Sequence, residues 1–169
     1  RLLPQEETYL TIVTAAGVAD AIRDMVVRGA PAIGVAAAAG IALAARGARD
    51  ESAELFRTLL DDAADVLIAA RPTAINLAWA VQKMLDIADA SLAAGASSAE
   101  TAEAVEQAAH ALREEDVASN RSMGQHGSVL VPDGANVLVH CNAGALATAG
   151  YGTALGVLRA AHAEGKKLS

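Results

Sequence analysis

Three short segments of this 169-residue chain combine side chains and backbone in ways that can do chemistry. The first is Arg28-Gly29-Ala30-Pro31-Ala32-Ile33-Gly34. Proline suits the first position of a helix, a glycine before it lets a ligand approach the free backbone amides, and the positive end of the helix favours an anion. Arg28 adds a planar guanidinium that can grip phosphate with two hydrogen bonds. A tight helix-to-helix turn with a solvated arginine has the same composition. Arg71-Pro72-Thr73 repeats the theme. A cation is held by a rigid proline at the head of a helix for which Thr73 is the expected N-cap, the alternative being a cap beside a surface charge.

The third segment is His140-Cys141-Asn142-Ala143-Gly144-Ala145-Leu146-Ala147-Thr148-Ala149-Gly150, which holds the only cysteine. It follows an apolar run and carries glycines ahead of a helix, the place where open α/β sheets bind ligands. A thiol beside a helix N-terminus can act as an ion or a hydrogen-bond donor, and a buried packing role is equally open. Gly150-Tyr151-Gly152-Thr153-Ala154-Leu155-Gly156 is not a dinucleotide fingerprint. Its third glycine comes one position late, and the glycines are expected inside the helix, where they permit close packing. His110, His126, His140 and His162 have no metal-ligand spacing with one another or with Cys141, so no metal site is expected.

These segments are positioned mainly by helices. Apolar residues recur at helical spacing, as in Val18, Ile22, Met25 and Val26, and again in Leu55, Leu59, Ala63, Val66 and Leu67. Helices are predicted over about 15–27, 31–45, 51–70 and 74–92. The face Ile75, Ala78, Trp79, Val81 and Leu85 is read as core. Ser97 and Glu100 have capping-box spacing and open a fifth helix predicted to end near Met123. Thr8 to Val13 reads as one short strand. After Gly124 the pattern changes: Asn136-Val137-Leu138-Val139-His140 resembles a buried parallel strand, and a helix is predicted over about 147–163, closed by Gly165-Lys166-Lys167. A right-handed crossover would then deliver a second parallel strand at the point where the sequence reaches Ser169. The expected fold is therefore a mainly α domain over 1–126 with a short β element, followed over 127–169 by the strand-turn-helix start of an α/β Rossmann-like domain that continues beyond Ser169. The first residue, Arg1, suggests a trimmed N-terminus.

Composition excludes several roles. Four aromatic residues cannot build a stacking platform for single-stranded nucleic acid, and 13 basic against 20 acidic residues remove the electrostatic footprint of a phosphate-backbone binder. One cysteine cannot form an intrachain disulfide, and no export signal is visible, so the cytoplasm is expected. The low-charge stretch from Gly29 to Ala45 reads as a buried helix and not as a membrane span.

Together, the segments 25–34, 71–77 and 140–148 closely resemble the methylthioribose-1-phosphate isomerases, in the same order along the chain. The likeness runs from the first residues to the last and covers roughly the first half of a family member. It implies a helical N-terminal domain before an α/β domain related to ribose-5-phosphate isomerases. It also implies interconversion of 5-methylthioribose 1-phosphate and 5-methylthioribulose 1-phosphate in methionine salvage. Arg28, Gly29 and Ala30 match the family's first substrate-binding motif, Arg71 the second, and Cys141 the cysteine that stabilises the transition state. The family's catalytic aspartate, glutamine and Asn-Lys pair would lie beyond Ser169. A small sugar phosphate and a second copy of the chain are the expected partners, with no cofactor. Two related readings share these motifs: ribose-1,5-bisphosphate isomerase, and the non-catalytic regulatory subunits of a translation-initiation guanine-nucleotide exchange factor.

Overall fold

Six helices carry the chain in a computed structural model that describes residue 3 and residues 5–169: α1 (Ala15–Arg23), α2 (Ala30–Gly47), α3 (Ala53–Ala70), α4 (Ile75–Ala93), α5 (Ser98–Ser128) and α6 (Ala154–Ala163). The Thr14 side chain caps α1 by accepting from the Gly17 N–H, and Ser52 caps α3 through the Leu55 N–H. Ser97 and Glu100 form the expected reciprocal capping box at α5, the glutamate accepting from the Ser97 N–H at 2.8 Å. α2 sits at the centre and packs against α1, α3, α4 and α5. It meets the length and apolarity of a membrane span, and its Ile33, Ala37, Ala38, Ile41 and Ala45 are buried in the helical core.

Several expectations are corrected. α1 ends at Arg23, four residues short of Val27, because Met25 takes a left-handed backbone (φ 57°) and the amides of Val26 and Val27 fold back onto the Ala21 carbonyl. Val18 and Ile22 are buried, whereas Met25 and Val26 are exposed. In α3 the buried stripe is Phe56, Leu60, Ala63, Ala64, Leu67 and Ala70, so Ala63 and Leu67 are core as expected, whereas Leu55, Leu59 and Val66 face outward. The chain's only phenylalanine has the most apolar surface to hide, and its burial sets the rotation of the helix. In α4 the core positions are Leu77, Ala80, Val81, Met84, Leu85 and Ala88, and Ile75 and Trp79 are 83% and 53% exposed.

α5 runs through the change of pattern at Gly124 and on to Ser128. Its glycines are sites of close approach: a β-carbon at Gly124 would lie 2.8 Å from the Tyr151 ring, and one at Gly127 would lie 2.6 Å from Val157. α6 begins at Ala154 and not at Ala147, because Tyr151 and Gly152 have positive φ angles that no right-handed helix accommodates. Gly150 and Gly152 therefore lie in the turn before the helix.

No strand forms among the described residues. Thr8 to Val13 forms neither strand nor bridge. The segment after Gly134 meets residues 167–169 through a single parallel bridge, Ala135 with Leu168. Three backbone bonds join them: Gly134 N–H to the Lys167 carbonyl at 2.8 Å, Ser169 N–H to Ala135 at 3.0 Å, and Val137 N–H to Ser169 at 2.8 Å. That pairing is too short for a ladder.

Candidate active site

Gly29 holds the first segment in a conformation closed to other residues. Its φ of 104° with ψ of 134° lies outside the regions open to L side chains. Its position is also crowded, since an added β-carbon would lie 2.5 Å from the Cα of Ala147. Ala30 and Pro31 open α2, with proline second in the helix and not first, and no side chain caps this end. The first-turn amides are thus available to an anion at the positive end of an 18-residue helix. Arg28 is exposed beside them.

Arg71 terminates α3, and the Ala74 N–H returns to its carbonyl at 3.0 Å, so Pro72 and Thr73 form a tight turn. Ala74, and not Thr73, occupies the N-cap of α4, and no side chain caps it. The two helix starts touch: a β-carbon on Gly34 would lie 3.0 Å from the Asn76 carbonyl oxygen. Neither Arg28 nor Arg71 has an ion-pair partner among the described residues.

Cys141 is exposed and has a φ of 73°, a conformation that non-glycine residues seldom adopt and that recurs at functional sites. The turn after it folds on itself. The Ala143 carbonyl accepts from the Thr153 N–H at 3.0 Å and from the Leu155 N–H at 3.3 Å, and Ala145–Ala147 forms one 3₁₀ turn. The Thr148 hydroxyl bonds the backbone of Gly150. Ala147 rests on Gly29, so the third segment is in direct contact with the first.

The structure thus brings the backbones of the three segments together at one end of the bundle, while no hydrogen bond or ion pair links Arg28, Arg71 and Cys141 to one another. Beside them lies a cavity of about 250 Å³ lined by Pro31, Gly34 and Val35 of α2, Asn76 and Trp79 of α4, and Leu112, Glu115, Asp116 and Ser119 of α5. Glu115 is paired at 3.7 Å with Lys83, whose ammonium also lies 5.5 Å from the Trp79 ring centre. Sequence reasoning missed Trp79 as a lining residue and missed Asp116 altogether. The signal for Asp116 is an Asp and an Asn four positions apart within a helix, residue types that are poor helix formers and are often kept for a bond. Among the described residues, no group of three or more His, Cys, Asp or Glu side chains is placed to hold a metal ion.

Two carboxylates are shifted from the ordinary glutamate range, and both lie away from this site. The Ser128 hydroxyl, followed by Lys166, holds Glu164 below it, and the Ser97 backbone N–H does the same to Glu100. Asp133 accepts from the Lys167 N–H at 2.8 Å, at the opposite end of the short parallel pairing from Cys141.

The profile of the Initiation factor 2 subunit family matches residues 26–169. A methylthioribose-1-phosphate isomerase of Geobacter metallireducens is 51% identical over 166 residues, covering 98% of this chain and 47% of that protein. The corresponding Synechococcus sp. protein is 55% identical over 170 residues, covering 99% and 47%. Among solved structures, 5-methylthioribose 1-phosphate isomerase from Pyrococcus horikoshii OT3 superposes with a TM-score of 0.91 at 38% identity, covering 99% of this chain and 47% of that one. Translation initiation factor eIF-2B, subunit delta, from A. fulgidus gives 0.86 at 42% identity, covering 99% and 48%. The chain spans about half the length of the curated relatives it matches.

Proposed function

The chain belongs to the Initiation factor 2 subunit family, and on that premise we propose that its protein is an aldose–ketose isomerase converting 5-methylthioribose 1-phosphate to 5-methylthioribulose 1-phosphate in methionine salvage. The observation that carries this reading is the meeting of the three motif-bearing segments, with Gly29 against Ala147 and Gly34 against Asn76. In this reading Arg28, the amides at Gly29 and Ala30, and Arg71 hold the phosphate, so that binding energy far from the reacting carbons orients them. Phosphate blocks the anomeric hydroxyl, so an acid must protonate the ring oxygen as its bond to C1 breaks. Hydrogen then moves from C2 to C1, by hydride shift or through an enediol, and the C2 hydroxyl loses its proton to become the carbonyl. Cys141 stabilises charge developing at the oxygens. The acid is assigned, as the resemblance implies, to the family's aspartate beyond Ser169.

The same reading divides the chain into a helical domain over 1–126 and the start of a Rossmann-like α/β domain over 127–169. The parallel bridge reached through α6 supports it. The protein is taken as a cytoplasmic homodimer that works without a cofactor, and the free, exposed Cys141 suits a reducing compartment.

The test is turnover: purified protein given methylthioribose 1-phosphate should form the ketose at about 1 per second or faster. Ribose 1,5-bisphosphate is the competing substrate to be offered beside it. Turnover of the bisphosphate alone would replace the substrate assignment. The likeness to a translation-factor subunit favours a second reading, a non-catalytic regulatory subunit. Absence of any turnover together with binding to a guanine-nucleotide exchange complex would establish that reading instead.

A further inference from the structure

We propose that Asp116 and Asn120 are positioning residues for this reaction, clamping the backbone of the Cys141 turn so that it stays in register with the Arg28–Gly29 loop. The two lie four positions apart on α5 and so share one face of the helix. Asp116 Oδ2 accepts from the Ala149 N–H at 2.7 Å and from the Asn120 amide at 3.0 Å. The Asn120 side chain is almost fully buried, and its amide also reaches the Gly150 carbonyl at 3.5 Å. The pair therefore engages a backbone donor and the acceptor of the next residue. A bond to a carboxylate is short and strong, which suits it to fix a turn built of alanine and glycine.

The clamp holds the turn that follows Cys141 because that turn is closed. Thr148 ties Gly150 back on itself, and Ala143 is tied to Thr153 and Leu155, so the segment from Ala143 to Leu155 is internally braced. The clamp reaches the phosphate loop because Ala147, two residues before the clamped amide, abuts Gly29 with no room for a methyl group. A shift at Ala149 is thereby passed through Ala147 to the Gly29 loop, and through the braced turn to Ala143, two residues from the thiol. The inference rests on the isomerase reading for its catalytic consequence only.

The experiment compares Asp116→Asn, Asp116→Glu and Asp116→Ala in the full-length protein. The asparagine amide oxygen can accept both bonds, whereas glutamate keeps the charge and displaces the acceptor. A misplacement of this kind should lower kcat by about 10- to 100-fold in the Glu and Ala variants with KM changed less than about threefold, and Asp116→Asn should rescue kcat to within about threefold of wild type. A second readout is independent of turnover: the rate of iodoacetamide alkylation at Cys141, followed by mass, should shift about threefold or more in Asp116→Glu and return to the wild-type value in Asp116→Asn. Normal kcat in Asp116→Glu, or equal losses in the Glu and Asn variants, overturns the clamp. If the wild-type protein shows no turnover, the isomerase reading fails by itself and alkylation decides: equal rates in wild type and Asp116→Glu overturn the clamp, and a shift reversed by asparagine sustains it. Asp116→Glu keeps the proposal testable if Asp116→Ala does not fold.

Discussion

Replacing Gly29 with alanine adds one methyl group at the most constrained backbone position near the site. The new β-carbon would stand 2.5 Å from both the Cα and the carbonyl oxygen of Ala147, and 2.6 Å from its β-carbon. Non-bonded carbons prefer roughly 3.5–4.0 Å, so the overlap is about an ångström and falls mostly on backbone. Two costs combine: about 1–3 kcal/mol for holding a non-glycine residue at this φ and ψ, and about 1–3 kcal/mol for forcing the 3₁₀ turn away. The sum, about 2–6 kcal/mol, is a large part of the roughly 5–15 kcal/mol that keeps a domain folded. For a chain of this size it should lower Tm by about 4–24 °C, read by circular dichroism on heating. Ala147→Gly introduced with it removes only the β-carbon and should restore little. A Gly29→Ala protein melting within about 1 °C of wild type would refute the reasoning. Full recovery in the double variant would show that the conflict lies with the side chain alone.

Three further outcomes follow from the same structure. Phe56→Ala should cost about 3–5 kcal/mol by urea unfolding and Leu55→Ala under about 1 kcal/mol, the reverse of what the expected stripe implies. Glu164 has its pKa lowered by the Ser128 hydroxyl and then Lys166, so the stability it contributes is complete above the ordinary glutamate pKa and is lost as pH falls through the lower folded value. The Tm difference between wild type and Glu164→Gln should therefore be constant near neutrality, shrink once pH falls below the ordinary glutamate range and vanish only below the lowered folded value, and a difference that grew on acidification would contradict the assignment. Cys141→Ser in the full-length protein should lower kcat with little change in KM or Tm, and a near-normal kcat would remove the thiol from the chemistry.

The helices were legible where local signals are strong. The capping box at Ser97 and Glu100 marks the start of α5 to the residue, because two reciprocal bonds require that spacing. What failed depended on distant partners. The rotation of α3 turns on which of two adjacent apolar stripes meets its neighbours, and both fit a 3.6-residue period. Gly124 and Gly127 read as breakers, yet they serve the packing of Tyr151 and Val157, which lie some thirty positions on. The left-handed backbone at Met25 falls where no glycine marks it, and at the second such turn the positive φ is shared by Gly152 and its neighbour Tyr151, although the flanking glycines read as part of a helix. At the site, the residue types and order were visible in advance, whereas Asp116 was not, since its worth lies in an amide 33 residues away.

The alanine-built core has a consequence for how this sequence can drift. Of 169 residues 43 are alanine, and Ala37, Ala38, Ala45, Ala80 and Ala88 are fully enclosed. A core of large side chains is chiefly vulnerable to truncation, and its neighbours can relax into the space. Here only a methyl group can be lost, and every other change apart from glycine must enlarge a side chain where helix backbones already meet closely. The permitted substitutions at these positions are therefore lopsided, and viable descendants should keep them small while the few bulky residues, such as Phe56 and Met84, exchange among themselves. Variation should collect on the outer faces of the helices, leaving the inner ones nearly frozen in size.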